Sequence, residues 1–261
     1  MKIIPLGTNG FLSSFGRQTA CFAIPYGNIL IILDAGSGLF RLTEPAGKKL
    51  LKGVKEVHLF LSHYHLDHAI GFYGAFELLK GKIVTVYAES GRQVFWEFVK
   101  LKHFPIDYTK AHRNFTWKAL KEGSYDFSSY KVSILKQRHR DETSLSFRLT
   151  FPKTDLVYAS DGEPTKKVIE FARGTKLLLH EHNYTGENLW EKKLPLEKQV
   201  LDGHVTTIGA AMVAKEAGVG KLALIHHEVY FDQKQLEKEV SVARKIFPKT
   251  ELAMDLEEIS F

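Results

Sequence analysis

The stretch Leu61-Ser62-His63-Tyr64-His65-Leu66-Asp67-His68 decides the fold of this chain. It places three imidazoles and one carboxylate within positions 63–68. Residues 57–61 before it form an apolar strand-like run, and residues 69–79 after it carry apolar side chains at helical spacing. The cluster therefore lies on a strand-to-helix turn, where side chains can converge on one point. Histidine and aspartate supply nitrogen and oxygen ligands that suit zinc, manganese or iron.

Taken alone, this cluster is also compatible with a solvated polar turn or with one structural metal, so further ligands are needed to decide. Several histidines and acids stand where a hydrophobic strand stops, namely Asp34, Asp161, His180 and His226, and His139 stands at the bend of a strand pair. In layered α/β proteins the strand ends meet at one edge of the sheet, where loops converge. The pattern predicts a single site rich in histidines and carboxylates.

Composition and charge limit the class of protein. Of the 261 residues, 44% are hydrophobic and 25% are charged, which is typical of a globular protein with a core. No linker rich in proline, glycine or serine interrupts the chain, so we expect one domain over residues 1–261. The single cysteine, Cys21, excludes an internal disulfide and a cysteine-based zinc site. Neither a signal-peptide pattern nor a membrane span is evident, so the cytoplasm is the expected location.

The chain carries a net charge of +6 and has an isoelectric point near 9.1. This balance favours anionic partners, such as a small phosphodiester or single-stranded nucleic acid, and no membrane partner. Lysines spread along the whole chain also suit a merely solubilised surface. The charge is therefore compatible with nucleic acid without identifying it.

The ligand pattern has the donors needed for two metal ions. Two ions about 3.5–4 Å apart can share a bridging hydroxide and clamp both oxygens of a displacement. His63 and His65 alternate, so on extended chain they face the same side, while Asp67 and His68 can face a second position. Asp161 is the natural bridging carboxylate. The helix that begins near residue 69 would aim its N-terminus at the site, which favours a bound anion.

The hexapeptide 63–68, with Asp34 before it and His139, Asp161 and His226 after it in order, resembles the metallo-β-lactamase superfamily. The resemblance implies an α/β fold, a four-layer αββα sandwich. It implies two divalent metal ions, zinc being favoured and manganese or iron also compatible, with Asp34 as a buried group that supports the metal-binding loops. The implied ligand set has Asp161 bridging, with His63, His65 and His139 on one ion and Asp67, His68 and His226 on the other.

Within that superfamily, three segments are similar to the branch of ribonuclease Z and phosphodiesterases: Leu6-Gly7-Thr8, Leu179-His180-Glu181 and Gly203-His204-Val205-Thr206-Thr207. In that branch the histidine matching His204 contacts the scissile phosphate or protonates the leaving group, and Glu181 is a candidate to orient it. Two departures matter. The tRNA-binding arm between the positions of His139 and Asp161 is absent, which puts a pre-tRNA substrate in doubt, and the branch's Gly-His-Ser-Thr segment is altered.

The functional hypothesis is a dinuclear metal-dependent hydrolase that cleaves small cyclic or linear phosphodiesters, or single-stranded nucleic acid, through a metal-bridged hydroxide. Asp67 would accept or steer a proton, and His204 would assist the leaving oxygen. One alternative is a hydrolase of lactones, β-lactams or thioesters. Another is a non-catalytic, metal-bound protein that binds nucleic acid. A homodimer is compatible with all three.

Two features stay open at this point. Periodicity is lost between residues 103 and 127, where aromatic and basic residues are frequent, so this stretch is either a loop over the site that binds substrate or a surface loop. His182 and His227 each follow a candidate site residue, and for both we favour a supporting or loop role over direct ligation.

Overall fold

Two β-sheets form the centre of the computed structural model, which describes residues 1–91, 107–111, 113–183 and 194–261. Within those ranges each sheet has seven strands. The first sheet contains, in spatial order, β16 (Ile259–Ser260), β1 (Lys2–Gly7), β2 (Cys21–Tyr26), β3 (Ile29–Leu33), β4 (Glu56–Phe60), β5 (Ile83–Ala88) and β6 (Phe115–Ala119).

The second sheet is formed by strands that lie between residues 123 and 252 of the chain. It contains β15 (Thr250–Leu252), β14 (Leu222–Ile225), β11 (Leu177–Glu181), β10 (Thr154–Ala159), β9 (Glu142–Phe151), β8 (Tyr130–His139) and β7 (Gly123–Phe127). A separate two-stranded ribbon joins β12 (Val200–Leu201) to β13 (His204–Val205).

Each sheet is antiparallel on one side and parallel on the other. In the first sheet the pairs from β16 to β3 are antiparallel and the pairs from β3 to β6 are parallel. In the second the pairs from β7 to β10 are antiparallel and the pairs from β10 to β15 are parallel. Parallel neighbours place their carboxyl ends at the same sheet edge, and this is where the candidate ligands were expected.

Helices connect the parallel strands. They are α1 (Pro45–Leu50), α2 (Leu66–Ala69), α3 (Phe72–Leu78), α4 (Tyr108–Ala111), α5 (Lys166–Ala172), α6 (Thr207–Ala217) and α7 (Gln233–Arg244), with short 3-10 helices at Ser37–Thr43 and Leu196–Lys198. Thr206 caps α6 by accepting a hydrogen bond from the Gly209 N–H. No helix in the described ranges is both long enough and apolar enough to cross a membrane.

Three apolar clusters define the layers. The inner cluster lies between the two sheets and includes Phe22 and Phe60 from the first sheet with Phe147 and Tyr158 from the second. The second cluster covers the outer face of the first sheet with α3 and the 3-10 helix Ser37–Thr43. The third covers the outer face of the second sheet with α5, α6 and α7. The order helix, sheet, sheet, helix confirms the expected αββα sandwich.

The helix expected over 69–79 is divided into α2 and α3, with Gly71 at the division. The Gly71 N–H donates to the carbonyl of Ala35, and a Cβ on Gly71 would lie 2.5 Å from the carbonyl oxygen of Gly36. The first of the two helices, α2, begins at Leu66, which is earlier than predicted. Asp67 and His68 therefore lie in its first turn.

The prediction of a loop over 103–127 is wrong for its C-terminal half, which forms β6 and β7. Both are five-residue edge strands with mostly exposed side chains, and their apolar alternation, Phe115 and Trp117 in β6 and Tyr125 and Phe127 in β7, is too short to distinguish a strand from a loop. Residues 103–106 and 112 of that stretch lie outside the described residues.

Candidate metal centre

The candidate ligands meet at the edge where the parallel strands end. His63 and His65 follow β4, and His139 closes β8. Asp161 follows β10 and His226 follows β14. The two sheets supply separate parts of the site, because β4 belongs to the first and β8, β10 and β14 to the second.

One group of donors consists of His63, His65, His139 and Asp161. Their candidate ligand atoms lie within 4.8 Å of one another. Nε2 of His63 lies 3.9 Å and Nε2 of His139 lies 3.7 Å from Oδ2 of Asp161. Nδ1 of His139 donates to the Gly203 carbonyl at 3.0 Å, so its other ring nitrogen is turned towards the group. Three imidazole nitrogens and one carboxylate oxygen are a donor set typical of zinc.

A second group consists of Asp67, His68, Asp161 and His226, again with candidate ligand atoms within 4.8 Å. Oδ1 of Asp161 lies 3.4 Å from Nε2 of His68 and 3.2 Å from Nε2 of His226. Oδ2 of Asp67 lies 3.4 Å and 3.3 Å from the same two nitrogens. Asp161 thus presents one oxygen to each group, the arrangement that a bridging carboxylate requires.

The buried polar atoms of these groups fit a pair of cations. Nε2 of His63 and Nε2 of His68 are buried without a hydrogen-bond partner among the described residues. Burial opposes charge on His68, but the carboxylates of Asp67 and Asp161 outweigh it and hold the pKa of His68 well above its ordinary value. The carboxylates therefore favour positive charge at this place. Divalent cations would supply that charge and would give the unpaired nitrogens their partners.

Asp34 belongs to neither donor group but is hydrogen-bonded to residues that do or that adjoin them. It is fully buried at the end of β3 with a positive φ of 59°, where a non-glycine residue is strained. Its carboxylate accepts hydrogen bonds from the Ser62 N–H at 2.6 Å, the Tyr158 hydroxyl at 2.6 Å and Nδ1 of His68 at 2.8 Å. The last bond turns Nε2 of His68 towards the second donor group. These bonds agree with the supporting role that the resemblance implied for Asp34.

His204 and Glu181 form a unit beside the shared aspartate. Nδ1 of His204 donates to Oε2 of Glu181 at 2.7 Å and lies 3.7 Å from Oδ2 of Asp161. The other oxygen of Glu181 accepts the Gly162 N–H at 2.8 Å, so the carboxylate is held from both sides. Burial lowers the pKa of His204, but Glu181 and then Asp161 outweigh it and raise that pKa to about 9. His204 is therefore suited to donate a proton at neutral pH.

The sequence pattern of the beta-lactamase superfamily domain matches residues 29–227, which is most of the chain and spans all seven candidate ligands. The chain belongs to the beta-lactamase superfamily. Divalent metal ions are therefore expected at the two donor groups, and the resemblance indicated by the motif is confirmed.

Relatives within the superfamily extend along the whole chain. The ribonuclease Z of Methanothermobacter thermautotrophicus is 24% identical over an alignment 304 positions long, which covers 98% of this chain and 95% of that protein. The metallo-beta-lactamase fold protein YhfI from Bacillus subtilis has a TM-score of 0.76 at 21% identity, covering 99% of this chain and 98% of the other. The short form of human tRNase Z has a TM-score of 0.68 at 19% identity, covering 100% and 99%. These solved structures share the superfamily fold.

His182 and His227 are buried next to the candidate metal ligands. Both are fully buried, and Nε2 of His182 lies 2.8 Å from Nδ1 of His227. Nε2 of His227 donates to the Ala253 carbonyl at 2.7 Å, and Nδ1 of His182 contacts the Thr207 hydroxyl at 2.9 Å. Neither side chain belongs to a donor group among the described residues. The pair links the ends of β11 and β14 to α6.

Residues 10 and 11 contact the second donor group, and the sequence alone did not indicate this contact. The Phe11 N–H donates to Oδ2 of Asp67 at 2.8 Å. A Cβ on Gly10 would lie 2.3 Å from the His226 ring, so only glycine permits this approach. Nothing in the sequence around residues 10 and 11 indicated that they reach residues far along the chain.

Proposed function

We propose that the protein is a dinuclear metal-dependent phosphodiesterase acting on small cyclic or linear phosphodiesters or on single-stranded nucleic acid. The observation that carries this proposal is the His204–Glu181 unit, which lies against the carboxylate common to both donor groups. A hydrolase that cleaves P–O bonds needs a proton for the leaving alkoxide, and this unit offers one beside the reaction centre. The relative's name, ribonuclease Z, also denotes an enzyme that acts on RNA.

The two donor groups would hold the metal ions. His63, His65 and His139 would ligate one ion, Asp67, His68 and His226 the other, and Asp161 both. When bound, the ions supply Lewis acidity at the phosphoryl oxygens and lower the pKa of an attacking water. Zinc is the proposed metal because nitrogen donors predominate, and manganese or iron suit the same donors.

The chain's own residues would perform the remaining steps. The Phe11 N–H fixes the Asp67 carboxylate by donating to Oδ2, and Asp67 so held would accept or steer the proton of the attacking water. Glu181 engages Nδ1 of His204, which leaves Nε2 as the nitrogen that can give a proton to the leaving oxygen. His204 lines the open cleft above the ligands, where a substrate can reach it.

A pre-tRNA substrate is not part of this proposal. Between His139 and Asp161 the chain is occupied by β9, β10 and the short turns that join them, which leaves no room for an additional arm. We therefore place the substrate among smaller phosphodiesters and unstructured single strands.

Turnover of three substrates tests the reaction type. We expect hydrolysis of bis(p-nitrophenyl) phosphate with added zinc or manganese, and much slower turnover of a thioester and of the β-lactam nitrocefin. Preference for the thioester or nitrocefin would favour the carbon–oxygen, carbon–nitrogen or carbon–sulfur hydrolases instead. Metal-loaded protein that binds a single-stranded oligonucleotide but cleaves no phosphodiester would indicate a binding protein without turnover.

Three further properties stay predictions: one domain over residues 1–261, assembly as a homodimer, and a cytoplasmic location. Sedimentation velocity of the purified, metal-loaded protein tests the homodimer. Limited proteolysis followed by mass spectrometry tests the single domain, which should yield no pair of stable fragments.

A further inference from the structure

The cleft above the metal ligands has an aromatic rim that the proposed chemistry does not use. The cleft has a volume of about 670 Å³ and is lined by His65, Asp67, His139, Asp161 and further residues that include Phe11 and Tyr230. The side chains of Phe11 and Tyr230 are 69% and 76% exposed. Rings left this far in water contribute little apolar burial to folding. Their position beside the ligands therefore calls for another explanation.

The rim is built from two loops that are bonded together. The Gly10 N–H donates to the His227 carbonyl at 3.0 Å, and the Ser14 hydroxyl donates to the Val229 carbonyl at 2.6 Å. The guanidinium of Arg17 donates to the Phe231 carbonyl at 2.5 Å. These bonds join residues 10–17 to residues 227–231, so Phe11 and Tyr230 lie on one wall of the cleft although they are distant in sequence.

The backbone at Phe11 is strained in a way that places its ring at the site. Its φ is 52°, in the left-handed region that bulky residues rarely adopt. In this conformation its N–H donates to Asp67, so the ring leaves the backbone directly beside the second donor group. Strained residues of this kind persist where the surrounding structure holds them and are concentrated at functional sites.

A positive side chain completes the cleft. Arg140 lines it next to His139, on the side of the first donor group, and its Nε donates to the Asp202 carbonyl at 2.8 Å. The cleft thus has exposed rings beside one donor group and a guanidinium beside the other. A ligand with a planar ring that lies on the exposed aromatic side chains, and with a phosphate between those side chains and the guanidinium, matches this order of groups.

We propose that Phe11 and Tyr230 stack on a nucleobase of the substrate, which makes the substrate a nucleotide phosphodiester rather than a simple alkyl one. The inference rests on the proposed phosphodiesterase function, because the scissile phosphate has to lie on the donor groups for the base to reach the rim. Stacking on aromatic rings tolerates any base, so the rim selects nucleotides as a class without reading their sequence.

The test compares two esters with the same leaving group, thymidine 5′-(p-nitrophenyl phosphate) and methyl p-nitrophenyl phosphate. We expect the metal-loaded protein to have a higher kcat/KM for the thymidine ester. Phe11→Leu and Tyr230→Leu should each lower the ratio of the two kcat/KM values by roughly 5-fold or more, as expected for loss of a stacked base. Phe11→Trp, which restores a ring, should recover most of the ratio.

Phe15→Leu is the matched control. Phe15 lies in the same loop, has a similar φ of 49° and is 60% exposed, but it is not part of the cleft wall. Its replacement should leave the ratio unchanged. An equal kcat/KM for both esters, or equal losses from Phe15→Leu and Phe11→Leu, would overturn the stacking assignment while the phosphodiesterase function stands. Hydrolysis of neither ester would overturn the proposed function and the assignment with it.

Discussion

At the scale of single residues, Asp161 has the widest influence on the site because its two oxygens face different donor groups. The imidazoles of His226 and His68 overcome the effect of burial and hold the pKa of Asp161 well below its ordinary value. The residue is therefore a carboxylate across the physiological range, as a bridging ligand must be.

Replacing Asp161 by alanine should remove metal from both groups. We expect fewer than one metal ion per chain by inductively coupled plasma mass spectrometry, and a loss of phosphodiester hydrolysis of more than about 100-fold. Asp126→Ala removes an exposed carboxylate from β7 and serves as the control, with metal content and activity retained. A full metal complement in Asp161→Ala would contradict the bridging assignment.

In the proposed mechanism Glu181 acts only by orienting His204, so replacing Glu181 should lower the rate of hydrolysis without lowering the metal content. In Glu181→Gln the amide cannot hold Nδ1–H as the carboxylate does, and we expect kcat to fall about 10- to 100-fold with KM changed much less. Steady-state kinetics with metal analysis checks this, and Glu163→Gln is the control. If metal content fell in parallel with kcat, Glu181 would be holding a ligand in place and not orienting the proton donor.

At the scale of elements, the connection between β3 and α2 determines where Asp67 lies. Gly36 follows Asp34 and packs against the backbone of α2, where a Cβ would lie 2.1 Å from the Asp67 carbonyl oxygen. The Ala35 N–H also donates to the His68 carbonyl at 2.8 Å. A short helix with so few hydrogen bonds of its own depends on such contacts for its position.

The substitution Gly36→Ala should displace α2 and weaken the second donor group. We expect a loss of roughly 1–3 kcal/mol in the free energy of unfolding from overpacking, measured by urea denaturation, together with reduced metal content. Gly74→Ala is the matched control, because a Cβ there meets only side-chain atoms, the Phe40 ring at 3.2 Å and Leu78 at 3.8 Å, and alanine favours the interior of α3. Unchanged metal content in a destabilised Gly36→Ala would show that α2 tolerates the shift.

At the scale of the whole molecule, the site joins the two sheets. The first sheet contributes the ligands that follow β4, and the second contributes those that follow β8, β10 and β14. Ions bound at this place would hold the two sheets together at one edge, in addition to the apolar cluster between them. We therefore expect metal binding to stabilise the folded state.

Removal of metal should accordingly lower thermal stability. We expect a chelator to lower the melting temperature by about 5–10 °C, since ions at 100 times their dissociation constant stabilise by about 2.7 kcal/mol. Differential scanning calorimetry with and without chelator measures the shift, and Asp161→Ala should show a much smaller one. An equal chelator effect in that variant would mean that the ions bind elsewhere.

Much of the site was predictable from short stretches of sequence. The hexapeptide 63–68 and the strand-end positions of His139, Asp161 and His226 indicated the candidate ligands, because side-chain chemistry and strand periodicity are local properties. The two-sheet architecture followed from the motif's resemblance and is confirmed. The edge strands β6 and β7 were not predicted, because each has only five residues and its apolar alternation is too short to stand out among the aromatic and basic residues of the stretch 103–127.

Amino-acid sequence alone determined which residues have the chemistry to bind metal and, through the resemblance of the 63–68 motif to a known superfamily, the class of fold. Only the tertiary structure decided that Asp161 presents one oxygen to each donor group, that Glu181 engages His204, and that Phe11 and Tyr230 share one wall of the cleft. These relations depend on strand order and on loops that are bonded across most of the chain. The packing of the sheets sets the distances between such residues, and a local sequence pattern contains no information about those distances.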